Sequence, residues 1–288
     1  MILGIRRILA LTPIMALMLS ACEEKKNTSG KDANTGIRYV SFGHGEKTMV
    51  VVPGLSTGFV VDIAPAVAVA LSTFTDEYTV YLFDVREEVP EDYTIHRMGE
   101  DLATAIKDLG LKNIYMYGCS LGGMQCVYVA GKYPELVEKV VVASSACKVN
   151  ETANTVIGNW IRLAKEGKRQ ELTEDMGRLI YSHAVYEANK KAFSAMADGL
   201  TDELLTRFIH TANAIPNMDI SEEAAAIKCP VLVLGSEGDK VLTAEASFEI
   251  ADITGGEIYM YGEEYSHAVY DEAPDFRDRV KKFFDSGK

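Results

Sequence analysis

The sequence predicts an α/β domain with a mostly parallel central sheet, flanking helices, and a helical cap inserted between two strands. Three observations carry this. Short apolar runs recur without apolar–polar alternation, as strands buried on both faces require. Helical segments separate these runs, as the crossovers of a parallel sheet must. From Lys148 to Ile227 only helical segments occur, and then the alternation of strand and helix resumes. The block therefore reads as an insertion over the sheet and not as a second domain.

The first predicted strands are Ile37–Gly43 (IRYVSFG) and Thr48–Val52 (TMVVV), followed by an Ala- and Val-rich helix over 60–74. Tyr78–Asp84 (YTVYLFD) is the next strand. The 96–111 segment is an amphipathic helix, because Met98, Leu102, Ile106 and Leu109 share one face at helical spacing. Asn113–Gly118 (NIYMYG) is a strand, and the helix that opens at Gly122 ends before Pro134. Val137–Ala146 is the last strand before the cap, expected over 148–227. Beyond it come the strand Pro230–Gly235, a helix from about Thr243, the strand Glu257–Gly262 and a final helix over 274–284.

A chain of 288 residues, 48% of them hydrophobic, has the material for one large α/β core. Its formal net charge of -13 argues against nucleic acid as a partner, because that requires a basic face. The N-terminal 1–22 segment stands apart. Arg6 and Arg7 precede an apolar run from Ile8 to Leu19, which ends in Ser20-Ala21-Cys22. This is the pattern of a secretory signal, and the run is too short for a lasting transmembrane helix. Leu19-Ser20-Ala21-Cys22 also resembles the lipobox of bacterial lipoproteins. That resemblance implies lipidation of Cys22, which would become the first residue of an exported chain anchored to the membrane surface of the bacterial envelope. A plain signal cut near Ala21 is the alternative. Residues 23–36 contain no large apolar side chain and read as a flexible linker to a domain over 37–288.

Four further cysteines, at 119, 126, 147 and 229, lie in apolar stretches, so buried free thiols are expected. No CxxC or His/Cys spacing suggests a metal site.

The chemistry concentrates in YMYGCSLGG, Tyr115 to Gly123. Gly118-Cys119-Ser120-Leu121-Gly122 fits G-x-S-x-G between a predicted strand and helix. In that turn the middle residue points its side chain out beyond the carboxyl end of the strand, where ligands of parallel sheets bind. Ser120 is the apex and the candidate nucleophile, and Cys119 should face the packing beneath. The bland alternative is a glycine-rich turn with no chemistry.

A serine hydroxyl needs a base, and the base needs an orienting acid. Of the histidines at 44, 96, 183, 210 and 267, only His267 follows the last predicted strand, in the chain order serine, acid, histidine. Asp239, just past a strand end in VLVLGSEGDKV, is the candidate acid, with Glu237 its nearest rival. The candidate oxyanion donors are the backbone N–H groups of Leu121 and of Leu55 in PGLSTG, with that of Ser56 second.

Taken together, Pro53-Gly54, Gly118-x-Ser120-x-Gly122, Asp239 and His267 make the chain resemble the α/β-hydrolases over Ile37 to Phe284. IKCPVLVLGSEGD and SHAVYDEAPDFRDRVKKFF are similar to the single-domain members with a helical cap, among them esterases, lactonases, carbon–carbon bond hydrolases and small peptidases. The resemblance implies an α/β-hydrolase fold and a Ser-His-Asp acyl transfer on a small-molecule acyl substrate, with no cofactor. The chain departs from many members at Pro53-Gly54, where they carry His-Gly. It departs again after Asp84-Val85-Arg86, where Glu87-Glu88 replaces a glycine-bearing run. The leading expectation is hydrolysis of a carboxylic ester or similar acyl bond. The alternatives are a small-peptide aminopeptidase, with Glu87, Glu88 or Glu263 holding the amine, an acyltransferase, and a non-catalytic binding lipoprotein. Trp160, Tyr181 and Phe208 of the cap are either pocket walls or cap core.

Overall fold

Eight strands build one sheet in the computed structural model, which describes residues 28–287. They are β1 (Thr28–Lys31), β2 (Arg38–Gly43), β3 (Lys47–Val52), β4 (Tyr78–Phe83), β5 (Ile114–Cys119), β6 (Val137–Ala143), β7 (Val231–Ser236) and β8 (Glu257–Tyr261). Their order is β1-β2-β4-β3-β5-β6-β7-β8. β2 runs antiparallel to both neighbours, and every pairing from β4 through β8 is parallel. The expected mostly parallel α/β architecture is therefore the one observed.

The lack of apolar–polar alternation has its physical cause in β3. Val50 and Val52 enter one core cluster, while Met49 and Val51 enter the cluster on the opposite face. Successive side chains point to opposite faces, so burial of both faces demands apolar residues throughout. One face is covered by α2 (Ile95–Asp108) and α3 (Leu121–Lys132). The other is covered by α1 (Ala64–Ala70) and α11 (Phe276–Asp285). α2 buries Met98, Leu102 and Ile106 as its spacing predicts, and Thr94 caps it by accepting from the Arg97 N–H at 3.3 Å.

Between β6 and β7 the cap carries α4 (Glu151–Lys165), α5 (Arg169–Ile180), α6 (His183–Ala195), α7 (Asp202–Ala212) and the short α8 (Ser221–Ala225). An isolated bridge between Lys148 and Asp219 joins the two roots of this insertion. The remaining helices are α9 (Ala244–Thr254) and α10 (Val269–Glu272).

Two expectations need correction. The helix over 60–74 is three pieces: a 3-10 turn at Val60–Ile63, α1, and a second 3-10 turn at Ser72–Phe74. Pro65 lacks an N–H and restarts the helix in the first turn of α1. The linker expected over 23–36 is not free chain from Thr28 onward, because β1 pairs with β2 in register from Thr28↔Ser41 to Lys31↔Arg38. The turn that follows is built from side-chain polarity: one Asp32 oxygen accepts from the Thr35 N–H and hydroxyl, both at 2.7 Å, and from the Asn34 N–H at 3.2 Å. Backbone pairing and turn chemistry hold this edge without apolar burial, so hydropathy carries no trace of it. Cys22 and the 1–22 signal lie outside the described residues.

One buried ion pair ties the cap to the body. Arg207 of α7 donates from Nη2 to Asp84 Oδ1 at 2.9 Å and to the Val85 carbonyl at 3.3 Å. Its guanidinium lies 3.9 Å from the centre of the Phe59 ring. The other Asp84 oxygen accepts from the Val60 and Val61 N–H groups at 2.5 and 3.2 Å. Asp84 thereby fixes the 53–61 loop from below while Arg207 fixes it from the cap. Removing Arg207 would strand a buried carboxylate, at a cost of about 3 kcal/mol or more. Arg207→Ala is therefore expected to lower the urea unfolding free energy by about that amount, and Arg207→Lys to recover only part of it. A change within experimental error for Arg207→Ala would show that the pair does not hold the cap.

Candidate active site

β5 ends at Cys119 and α3 starts at Leu121, so Ser120 alone makes the turn between them. It has φ 52° and ψ -124°, a conformation that non-glycine residues rarely adopt. Its neighbours make the turn sterically possible. A Cβ on Gly122 would overlap the Val52 carbonyl, and one on Gly118 would overlap the Gly122 carbonyl and sit 2.6 Å from Cys126 Sγ. A Cβ on Gly54 would come within 3.1 Å of Ser120 Cβ, so a side chain there would crowd the approach of the 53–61 loop to the turn. Three hydrogen bonds hold the turn. The Ser120 N–H donates to Ala143 O at 2.9 Å, and the Ser120 carbonyl accepts from Ser145 Oγ at 2.7 Å and from the Met124 N–H at 3.2 Å.

Leu121 is the first residue of α3, so its N–H has no acceptor within the helix and sits at the positive end of the helix dipole. Gly54, Leu55, Ser120 and His267 line one small cavity of about 20 Å³ under the cap. The Ser56 hydroxyl accepts from the Gly58 N–H at 3.2 Å, closing the loop on itself.

His267 lies between β8 and α10 and is 2% exposed. Its Nδ1 is 2.8 Å from Asp239 Oδ2. Asp239 sits in the turn after β7, where its Oδ1 accepts from the Val241 and Leu242 N–H groups at 2.8 and 3.1 Å. Burial alone would raise the Asp239 pKa; the opposing pull of His267 and the two amides holds it below the ordinary carboxylate value. An ionised carboxylate only accepts, so the Nδ1 facing it carries a proton and Nε2 points away from the acid. The depressed pKa also makes Asp239 a source of stability. That stability is fully present above the unfolded carboxylate pKa of about 3.9 and is lost as pH falls through the lower folded value. Glu237, the rival acid, is exposed to solvent.

The other candidates are sorted plainly. Cys119 packs beneath the turn, and burial pushes its thiol up to about 11. Cys119, Cys126, Cys147 and Cys229 are free. His44 pairs loosely with Asp76 at 3.7 Å, His96 with Glu223 at 3.6 Å, and His210 Nδ1 is 2.7 Å from the Val89 carbonyl. Trp160 walls the small cavity, while its Nε1 donates to Asp175 at 3.0 Å. Tyr181 walls a larger cavity of about 310 Å³, and Phe208 is cap core. Glu87, Glu88 and Glu263 are exposed and line neither cavity.

Sequence reasoning missed the residues that brace His267. Ser266 Oγ donates to Leu179 O of α5 at 3.0 Å, and the Ala268 N–H donates to Ile180 O at 2.7 Å. Ser236 Oγ at the end of β7 donates to Ser266 O at 2.9 Å. The histidine loop is thus held between the sheet and the cap. A serine beside a histidine has no signature of its own, and only the fold reveals this use.

With this geometry in place, likeness to known proteins is informative. The family model of the alpha/beta hydrolase fold matches residues 47–274. The 3-oxoadipate enol-lactonase 2 of Acinetobacter baylyi is 23% identical over 181 residues, which cover 60% of this chain and 66% of that protein. Among solved structures, the alpha/beta hydrolase MGS-M2 from a Medee basin deep-sea metagenome library superposes with a TM-score of 0.78 at 21% identity, covering 91% of this chain and 98% of that one. The enol-lactonase of Burkholderia xenovorans LB400 superposes with a TM-score of 0.75 at 19% identity, covering 90% and 100%.

Three expectations test this packing, one of them a control in the cap. Gly122→Ala should cost about 2–3 kcal/mol in urea unfolding, or prevent folding, because its Cβ meets backbone that has no room to move. Gly158→Ala, on an exposed helix position with open space around it, should be neutral or stabilising by up to about 1 kcal/mol. The buried, high-pKa Cys119 should resist iodoacetamide in the native protein at pH 7.5. Mass spectrometry showing stoichiometric alkylation of Cys119 without unfolding would contradict its placement in the packing.

Proposed function

The chain belongs to the α/β-hydrolase fold family, and on that premise we propose that it is a serine hydrolase cleaving a carboxylic ester or similar acyl bond of a small molecule. Ser120 Oγ attacks the carbonyl carbon while its proton passes to His267 Nε2. The developing oxyanion is received by the N–H groups of Leu121 and Leu55. Collapse breaks the bond to the leaving oxygen, which takes the proton from His267. Water then attacks the acyl-serine and gives a proton to His267; collapse breaks the acyl–Oγ bond, Ser120 Oγ takes that proton back, and the acid is released. Asp239 holds the imidazole in the required tautomer and stabilises its charged form.

The observation that supports this reading best is the buried 2.8 Å bond between His267 Nδ1 and Asp239, with His267 and Ser120 walling one cavity. Glu87, Glu88 and Glu263, the carboxylates expected to hold the amine of an aminoacyl substrate, face solvent and line neither cavity, which favours an ester. The same reading keeps 1–22 as an export signal with Cys22 lipidated, so that the enzyme works at the membrane surface of the envelope, outside the cytoplasm.

A fluorophosphonate probe is expected to label the wild-type protein and not Ser120→Ala. Ser120→Ala and His267→Ala should each lose at least about 10³-fold in kcat on a p-nitrophenyl ester, and Asp239→Asn about 10³–10⁴-fold. Cys119→Ala should keep most of its activity. A folded wild-type protein that neither reacts with the probe nor turns over any ester would overturn the proposal.

A further inference from the structure

Three cavities meet at Tyr270. The smallest, about 20 Å³, contains the Ser120 and His267 walls. The largest, about 310 Å³, runs between the 53–60 loop on one side and Met176, Ile180, Phe193 and Met196 of the cap on the other. It shares Gly54, Leu55, Ile180 and Tyr270 with the small cavity. The third, about 130 Å³, lies between the sheet and helices α1 and α11, against Val51, Val67, Leu71, Phe74, Leu82 and Val280. It shares Pro53, Val60, Cys119, Tyr270 and the polar Asp271 with the largest, and Arg277 also borders it. Mainly apolar space therefore lies on both sides of Cys119, under the cap near the serine turn and against α1 and α11, with Asp271 bordering both parts.

The direction of the chemistry decides which half of a substrate occupies it. His267 must protonate the leaving oxygen, so the leaving group belongs in the small cavity beside His267. The carbonyl oxygen faces the Leu55 and Leu121 N–H groups. The remaining substituent of the carbonyl carbon then continues along the 53–60 loop, which is the wall of the large cavity. Water-sized room beside His267 and extended apolar room along the loop describe an ester with a small alcohol and a long acyl group.

We propose that the acyl group this site takes is a long unbranched hydrocarbon chain, seated in the large cavity and reaching past Cys119 into the cavity between α1 and α11. The proposal rests on the serine hydrolase reading. Each methylene removed from water should raise kcat/KM about three- to fourfold until the chain fills the space. Cys119 acquires a use in this arrangement: its buried, un-ionised thiol is a small apolar wall where the two cavities join.

The test is a series of methyl esters from acetate to dodecanoate, followed by acid release and kept below their aggregation limits, on the full chain and two variants. Wild type should rise steeply from acetate to octanoate and beyond. Ile63→Trp, which fills the large cavity, should cut octanoate kcat/KM at least tenfold and leave acetate within about twofold. Ala66→Trp, which fills the third cavity, should spare butyrate and cut dodecanoate. Retained acetate turnover certifies that each variant is folded. Acetate turned over as well as octanoate by the wild type, or an unchanged length profile in Ile63→Trp, overturns the acyl-chain assignment while leaving the hydrolase reading intact. An unchanged dodecanoate rate in Ala66→Trp overturns the extension past Cys119. No turnover of any ester together with no fluorophosphonate labelling of Ser120 overturns the hydrolase reading, and this proposal with it.

Discussion

The architecture of the site hangs on one constraint: a single residue, Ser120, must turn the chain from β5 into α3 with φ at 52°. That backbone is strained, and it persists only because its surroundings leave no alternative. Gly118 and Gly122 let strand, turn and helix approach within distances that exclude a Cβ, and Val52 and Ala143 of the neighbouring strands close around them. The hydroxyl is presented because everything beneath it is immovable parallel sheet, buried on both faces.

Around this fixed point the other groups are held by the cap as much as by the sheet. Arg207 reaches down to Asp84, which grips the loop carrying Leu55. Leu179 and Ile180 at the end of α5 accept from Ser266 and Ala268, on either side of His267. The cap is therefore a structural member of the site and not only a cover. The same helices that hold the histidine loop also wall the large cavity, so cavity shape and imidazole position are not independent.

Much of this was legible in residue order. Strands buried on both faces show as unbroken apolar runs, and β3 through β8 were read from them. The G-x-S-x-G pattern located the turn because glycine spacing is a local steric requirement. His267, chosen by chain order, and Asp239, chosen by its place just past a strand end, form a buried hydrogen bond. The misses share a cause. β1 is held by backbone pairing and the Asp32 turn, the break at Pro65 lies inside an otherwise helical composition, and Ser266 acts through a hydroxyl in a region of no periodicity. None of these depends on burying apolar side chains, which is the main signal that hydropathy carries.

By itself, the sequence determined the layered α/β architecture, the insertion that becomes the cap, and the residue types at the strand ends. These follow from local patterns: burial on both faces, helical spacing, and the glycines a tight turn demands. Only the tertiary structure decided that Asp239 and not Glu237 is buried against the histidine, that Asp84 pairs with an arginine 123 residues away, and that Cys119 and Tyr270 wall both the cavity under the cap and the one against α1 and α11. The physical reason is that charge pairing, cavity shape and burial of a single carboxylate arise from contacts between distant segments. No short window of residues contains both partners.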